Sequence, residues 1–119
     1  QGGRQMEMHQ VRYFLAVAET LNFTRASERC FVSQPALTKA VQRLEETIGG
    51  RLLDRTKNSV QLTELGRAML PDLRHIYDSA NRAREQARRL TSERRERVRI
   101  GVMCTIDFHQ VLPGFRYKN

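Results

Sequence analysis

Polar side chains of middling length recur between positions 34 and 45 at spacings that bring them to one face of a helix. They are Gln34, Thr38, Lys39, Gln42 and Glu45. A glutamine amide can pair with adenine, lysine can donate to guanine acceptors, and threonine offers a hydroxyl and a methyl group, so the set suits base edges in a DNA major groove. An ordinary solvated helix face carries the same residue types, and this pattern alone leaves both interpretations open.

The helix that must carry these residues has a clear start and stop. Ser33 can cap its free N–H groups, and Pro35 fits the first turn, where its missing N–H costs nothing. An apolar stripe then follows at spacings of 4, 3 and 4, formed by Leu37, Val41, Leu44 and Ile48. Gly49 and Gly50 end the helix. The polar face therefore lies opposite the apolar stripe, and the helix N-terminus can accept a phosphate.

Two further helices are predicted before this one. The first covers Glu7 to Thr20, where apolar residues recur with helical spacing. The second fits Thr24 to Cys30, with Thr24 as its N-cap. Only about three residues separate it from the next helix, as in a helix-turn-helix. This helix is the first of the two that form the motif, and its start, at Thr24 and Arg25, is expected to contact the DNA backbone.

A short hairpin is predicted over Leu52 to Leu62, turning at Lys57 and Asn58, because asparagine tolerates the positive φ of a tight turn. Arg55 and Lys57 near its tip could reach a phosphate or the neighbouring minor groove, as the wing of a winged helix does. The alternative interpretation is that the positive charges of Arg55 and Lys57 only keep the protein soluble.

From Thr63 onward a heptad pattern predicts one long helix. Seven residues follow one another at spacings of 4, 3, 4, 3, 4 and 3: Met69, Leu73, Ile76, Ala80, Ala83, Ala87 and Leu90. At a rise of about 1.5 Å per residue the helix to Thr91 would span roughly 43 Å. We expect a partner helix from a second chain to cover this stripe. Pro71 predicts a kink, which Gly66 would ease.

The chain changes character again near its end. Ser92 to Arg97 is polar and charged, which is typical of a linker, and Val98 to Met103 is predicted to be a buried strand of the parallel type. One strand cannot make a domain, so we expect a second domain to begin here.

The charge balance favours an anionic partner. Twenty-one Lys and Arg residues against thirteen Asp and Glu residues give a net charge of +8. Nucleic acid is the first candidate and an anionic membrane surface the second. No apolar run approaches the ~20 residues that cross a bilayer, and no signal-peptide pattern opens the chain, so we expect no membrane span.

The composition does not indicate an enzyme. His9, His75 and His109 lack metal-ligand spacing, and no nucleophile motif or phosphate-binding glycine loop occurs. Cys30 and Cys104 lie outside any CxxC spacing, which predicts no disulfide or zinc site and favours a reducing cytoplasm. We therefore expect no metal and no cofactor in this chain. A redox-sensing role for Cys30 or Cys104 stays open as the lesser alternative, because nothing in the sequence indicates a lowered thiol pKa.

The stretch from Phe14 to Gly66 closely resembles the N-terminal signature of LysR-type transcriptional regulators. The agreement centres on VSQPALTKAVQRLEETIG and on LLDRT with VQLTELG, and it extends to about Leu90. It continues more faintly into VRIGV, which looks like the first strand of the family's effector domain. Ser27, where alanine is usual, and Thr38, where serine is commoner, depart from the family pattern.

The resemblance implies a mainly α-helical fold: a winged helix-turn-helix, a long C-terminal linker helix that dimerises, and a residual strand of a truncated α/β domain. Residues 1–5 carry two glycines and no periodic apolar residues, which predicts a loose end. The segments that follow are the DNA-binding domain at 6–62 with its recognition helix near 34–48 and wing near 52–62, the linker helix at 63–91, and a hinge with the start of the effector domain at 92–119.

The resemblance also implies partners and contacts. It implies a homodimer with antiparallel linker helices, often within a tetramer, on interrupted inverted repeats of double-stranded DNA upstream of regulated bacterial genes. By the family pattern, Gln34, Pro35, Thr38 and Lys39 would enter the major groove, and Arg55 would contact the backbone or the minor groove. A small-molecule inducer is expected only for the effector domain.

Two other classes of protein remain as alternatives. A helical oligomerisation module would use the heptad stripe and need no DNA. A non-specific nucleoid or RNA binder would bind any duplex equally and would lack a helix aimed at base edges.

Overall fold

Three helices, a short hairpin and a long fourth helix follow one another in the computed structural model, which describes residues 5–56 and 59–102. The elements are α1 (Met8–Thr20), α2 (Phe23–Cys30), α3 (Gln34–Ile48), β1 (Leu53–Asp54), β2 (Gln61–Leu62) and α4 (Glu64–Val102). The predicted mainly α-helical fold with a helix-turn-helix and a hairpin is confirmed.

Helix α2 begins at Phe23, one residue earlier than predicted, and its N-cap lies two residues earlier than predicted. Asn22 is the N-cap, because it lies in an extended conformation and its side-chain oxygen accepts a hydrogen bond from the backbone N–H of Arg25 at 2.9 Å. Thr24, the predicted cap, is the second residue of the helix, so that part of the prediction is wrong. An N-cap side chain must lie one step before the helical backbone to reach the N–H groups of the first turn.

The predicted bounds of α3 are confirmed. The Ser33 hydroxyl accepts a hydrogen bond from the backbone N–H of Ala36 at 3.2 Å, and Pro35 lies in the first turn. Gly49 ends the helix with φ +97, a conformation that glycine adopts without strain. The buried side of α3 is formed by Leu37, Ala40, Val41 and Leu44.

A single apolar core joins α1 to α3, the hairpin and the beginning of α4. Its fully buried large side chains are Val11, Phe14, Val17, Leu37, Leu44, Leu52, Leu53 and Leu73. The hairpin closes one side of this core, with Leu53 opposite Leu62 and Asp54 opposite Gln61 in an antiparallel pair. The predicted turn residues 57 and 58 lie outside the described residues.

Helix α4 begins in close contact with the hairpin. The Thr63 hydroxyl accepts a hydrogen bond from the Gly66 backbone N–H at 2.9 Å and donates one to the Arg51 carbonyl at 2.6 Å. A Cβ atom on Gly66 would lie 2.2 Å from the carbonyl oxygen of Leu52. Gly66 therefore permits this close approach of two backbones, a role that the sequence did not indicate. The helix continues through Pro71.

The chain divides into two compact units, one up to Ala80 and the other from Asn81. In the first unit Leu73 is fully buried in the core and Met69 is partly buried against it. Leu73 is therefore not available to a second chain, and its assignment as a dimerisation residue is wrong. The heptad spacing did not distinguish a helix covered by its own domain from one covered by a partner.

The heptad residues that follow Leu73 along the chain, from here on the linker stripe, are Ile76, Ala80, Ala83, Ala87 and Leu90. Ile76 is 38% exposed and Leu90 56%. Ala83 and Ala87 are exposed, and Ala80 is half-buried.

The strand predicted over Val98 to Met103 is also wrong for its first five residues, because α4 continues to Val102. A helix satisfies its backbone hydrogen bonds internally, whereas a strand needs a neighbouring strand to pair with. Position 103 and those after it lie outside the described residues.

Candidate nucleic-acid interface

The side of α3 opposite the core presents most of the predicted groove-contacting residues together. Gln34, Pro35, Lys39 and Gln42 are exposed, and Thr38 is half-buried. They border one shallow surface depression. Because the opposite side of the helix is buried, this arrangement turns these residues towards solvent, where a ligand can meet them.

The first residue of this face is in contact with α2. The Thr24 hydroxyl donates a hydrogen bond to the side-chain oxygen of Gln34 at 3.2 Å. Arg25, next along α2, is exposed. The structure thus places Thr24, one of the two residues predicted to contact a DNA backbone, beside the start of α3.

The hairpin brings one predicted residue close to the same region. Arg55, which follows β1, is exposed, and its guanidinium carbon lies 4.0 Å from the centre of the Phe23 ring. This distance is within the range of a cation–π contact. An open cleft between α3 and the hairpin is lined by Thr38, Gln42 and Arg55, among others. Lys57 lies outside the described residues.

Glu45 does not belong to the exposed face on which the sequence placed it. Its carboxylate accepts hydrogen bonds from the backbone N–H groups of Leu52 at 2.8 Å and Leu53 at 3.2 Å, and it lies 3.8 Å from Nε of Arg51. The side chain is only 12% exposed. Glu45 therefore anchors the hairpin to α3 and is not placed to contact a ligand from solvent.

Two contacts near this face were not predicted from the sequence, namely that of Phe23 with Arg55 and the anchoring of the hairpin by Glu45. A signal for Glu45 was present, because it lies four residues after Val41 and three before Ile48, at the edge of the apolar stripe. No comparable signal marked Phe23, whose contact with Arg55 joins segments that are distant in sequence.

Cys30 offers no reactive site. It is 4% exposed, and burial raises the pKa of its thiol, although the nearby charges of Arg12 and Arg29 oppose that shift. The thiol is therefore protonated at neutral pH, which is the unreactive form.

The described part of the chain also contains no group of three or more potential metal ligands. His9 makes an edge-to-face contact with Tyr13, with ring centres 5.5 Å apart, and His75 is exposed. His109 and Cys104 lie outside the described residues. None of the described helices combines the length and apolar character that a membrane crossing requires.

Comparison with known proteins identifies the family. The profile described as "Bacterial regulatory helix-turn-helix protein, lysR family" matches residues 8–67. The Hca operon transcriptional activator HcaR of Escherichia coli (strain K12) is 40% identical over 116 residues, which cover 95% of this chain and 39% of HcaR. The chain thus spans about two fifths of the length of that relative.

Solved structures of similar proteins agree with this family match. The crystal structure of a CbnR_DBD–DNA complex matches with a TM-score of 0.65 and 41% identity, covering 72% of this chain and 99% of that one. The BenM_DBD/catB site 1 DNA complex matches with a TM-score of 0.67 and 31% identity, covering 73% and 97%. The profile match covers α1 through the beginning of α4, the same elements that build the core and the exposed face of α3. This chain belongs to the lysR family of bacterial regulatory helix-turn-helix proteins.

Proposed function

We propose that this chain binds double-stranded DNA sequence-specifically, as the DNA-binding part of a homodimeric transcriptional regulator. The observation that carries the proposal is that α3 is amphipathic, with one apolar face buried and one polar face exposed. Leu37 and Leu44 are fully buried on one side, while Gln34, Lys39 and Gln42 are exposed on the other. A helix held in this way can enter a major groove without unfolding any part of the core.

Each exposed group has a contact that suits its chemistry. Gln34, Pro35, Thr38 and Lys39 enter the major groove, and Gln42 lies one turn further along the same face. The free N–H groups at the start of α3, near Ser33, accept a backbone phosphate. Arg25, with Thr24 beside it, contacts the phosphate backbone at the start of α2.

The wing makes the remaining contacts. Arg55, with Lys57, reaches a phosphate or the adjacent minor groove. Guanidinium and ammonium groups supply the non-specific, salt-dependent share of binding there, whereas the residues of α3 supply the selectivity.

A second copy of the chain covers the linker stripe. Ile76 and Leu90 are large apolar side chains with substantial exposure, and three alanines at the intervening heptad positions allow close helix approach. Linker helices packed antiparallel bring two identical DNA-binding domains to one duplex, and a longer regulator assembles further into a tetramer. Each domain binds one half-site, so the DNA target is an interrupted inverted repeat in a promoter region.

The relatives support this reading of the chain. CbnR and BenM domains of the same fold form DNA complexes, and HcaR is named a transcriptional activator. We infer that the protein acts in the bacterial cytoplasm without a cofactor or catalytic activity of its own. An inducer would bind an effector domain and not the residues described above.

Selection of duplexes from a random pool tests the proposal directly. The parent chain is expected to enrich an inverted repeat and to lose affinity steeply as salt rises. Equal binding to all duplexes would support a non-specific nucleic-acid binder instead. Absence of binding, with self-association retained, would support an oligomerisation module.

Two variants separate the roles of the two elements on the selected duplex. Gln34→Ala is expected to weaken binding by about 1–3 kcal/mol and to relax selectivity at one base pair, whereas the matched Gln86→Ala on exposed α4 should do neither. Arg55→Ala is expected to weaken binding to all sequences evenly and to reduce the salt dependence, more than Arg84→Ala does. Parental binding by both Gln34→Ala and Arg55→Ala would contradict these assignments.

A further inference from the structure

Two adjacent residues at the start of α2 each contact one of the two elements assigned to DNA binding. Phe23 lies under the guanidinium of Arg55, and Thr24 is hydrogen-bonded to Gln34. We propose that Phe23 and Thr24 are positioning residues, which hold Arg55 and Gln34 in the conformations that meet DNA. This inference rests on the proposed DNA-binding function and assigns new roles within it.

Phe23 is fixed, so it can hold a mobile neighbour. Its side chain is 6% exposed and belongs to the same buried cluster as Phe14 and Leu53. Arg55 is exposed and would otherwise sample many rotamers. An arginine side chain that is free in solution loses conformational entropy when it binds a phosphate, and a preformed contact removes part of that cost.

The contact leaves the arginine able to bind. The guanidinium carbon lies over the Phe23 ring at 4.0 Å from its centre, and a guanidinium that stacks on an aromatic face keeps its N–H groups directed outward around its edge. They can still donate to a phosphate or to acceptors in a minor groove. The ring therefore restricts where Arg55 points and consumes none of its donors.

The contact of Thr24 defines which way the Gln34 amide points. A threonine hydroxyl has one proton to donate, and here it is donated to the Gln34 oxygen. The Gln34 amide nitrogen, with two N–H donors, is then free to meet a base. This orientation favours base acceptors such as O6 and N7 of guanine or O4 of thymine over the paired contact with adenine expected from sequence, for which only the second lone pair of the Gln34 oxygen remains.

The same bond changes the role of Thr24. Because its single hydroxyl proton is already donated to Gln34, it cannot also be donated to a phosphate without breaking this contact. Thr24 therefore acts through Gln34 and not on the DNA backbone.

A double-mutant cycle tests the Phe23 contact on the duplex selected by the parent chain. Phe23→Leu keeps an apolar side chain but removes the ring. It is expected to weaken binding roughly 3- to 10-fold when Arg55 is present, and less than about 2-fold in an Arg55→Ala background. A loss caused only by reduced stability would be the same in both backgrounds, and that result would overturn the role of Phe23. Thermal unfolding of each variant confirms that folded protein is being compared.

Base selectivity tests the Thr24 contact. The parent is expected to prefer guanine or thymine at the position nearest Gln34. Thr24→Val, which has nearly the same shape without the hydroxyl, should reduce that preference about 2- to 10-fold at this base pair alone. Thr24→Ser, which restores the donor, should recover it. An unchanged preference in Thr24→Val, or no recovery in Thr24→Ser, would overturn the role of Thr24.

The parent chain separates this inference from the function on which it rests. If the parent selects a duplex but the cycle shows no coupling and Thr24→Val keeps the parental preference, only the positioning roles fail. If the parent shows no preference among duplexes, the proposed function and the positioning roles fail together.

Discussion

Glu45 accepts a hydrogen bond from the backbone N–H of Leu52 at 2.8 Å, and this contact joins the C-terminal half of α3 to the segment that leads into the hairpin. The same carboxylate also accepts the N–H of Leu53. Two backbone donors in a half-buried region depend on one side chain. Removal of the carboxylate would leave both N–H groups without a partner inside the protein. The free-energy cost of such unsatisfied donors is larger than the contribution of an exposed hydrogen bond to stability.

Glu45→Ala is therefore expected to lower the free energy of unfolding by about 2 kcal/mol, as measured by urea denaturation. The matched control is Glu46→Ala, because Glu46 is the next residue on α3 and is exposed. The control should change stability by less than about 0.5 kcal/mol. Equal effects of the two substitutions would show that the Glu45 carboxylate does not anchor the hairpin.

Gly66 gives a prediction opposite in sign to the usual helix rule. Replacing a glycine inside a helix with alanine ordinarily stabilises by about 1 kcal/mol. Here the new Cβ would lie 2.2 Å from the Leu52 carbonyl oxygen, and a backbone atom cannot easily move away. Gly66→Ala is expected to lower the melting temperature by several degrees, roughly the effect of 1–3 kcal/mol in a small domain.

Gly50→Ala provides the comparison for Gly66. Its Cβ would meet only the Cδ2 end of the Leu65 side chain, which can rotate. The melting temperature of Gly50→Ala should therefore fall less than that of Gly66→Ala. The reverse order would mean that α4 and the hairpin are not held as closely as the structure shows.

The parts of the fold that were predictable from sequence depend on local signals. Ser33 and Gly49 mark the ends of α3 by their own backbone chemistry, and the polar face follows from the spacing of Leu37 and Leu44. Leu73 was assigned wrongly because a heptad pattern shows which side of a helix is apolar but not which neighbour covers it. The contact of Phe23 with Arg55 could not be found in this way, since it depends on how α2 and the hairpin meet in three dimensions.

Cys30 is expected to react slowly with iodoacetamide in the folded protein and fully in urea. The test uses a Cys104→Ser background, so that only one thiol reports. Burial raises the thiol pKa in the folded state above the ordinary value of 9.0. The folded state then holds the proton more tightly than the unfolded chain does, so this group's contribution to stability is complete below pH 9 and is lost as the pH rises above it. Rapid alkylation of the folded protein at neutral pH would contradict the burial of Cys30.

Ile76→Asp tests whether the linker stripe is covered by a second chain. Ile76 is 38% exposed in one chain, so the substitution should cost the isolated chain little, whereas a carboxylate buried against a partner helix without a counter-charge is strongly unfavourable. Sedimentation is expected to show a dimer for the parent and a monomer for Ile76→Asp at the same concentration.

His75→Asp separates loss of the interface from a general effect of charge. His75 is exposed, adjacent to Ile76 and about 100° away around the helix, off the linker stripe, so the same new carboxylate remains in solvent. His75→Asp should remain dimeric.

DNA affinity gives a second measure of the Ile76→Asp substitution. Its affinity for a complete inverted repeat should fall much more than its affinity for a single half-site, because the two DNA-binding domains no longer bind as one unit. An unchanged mass for Ile76→Asp would show that the linker stripe is not the dimer contact.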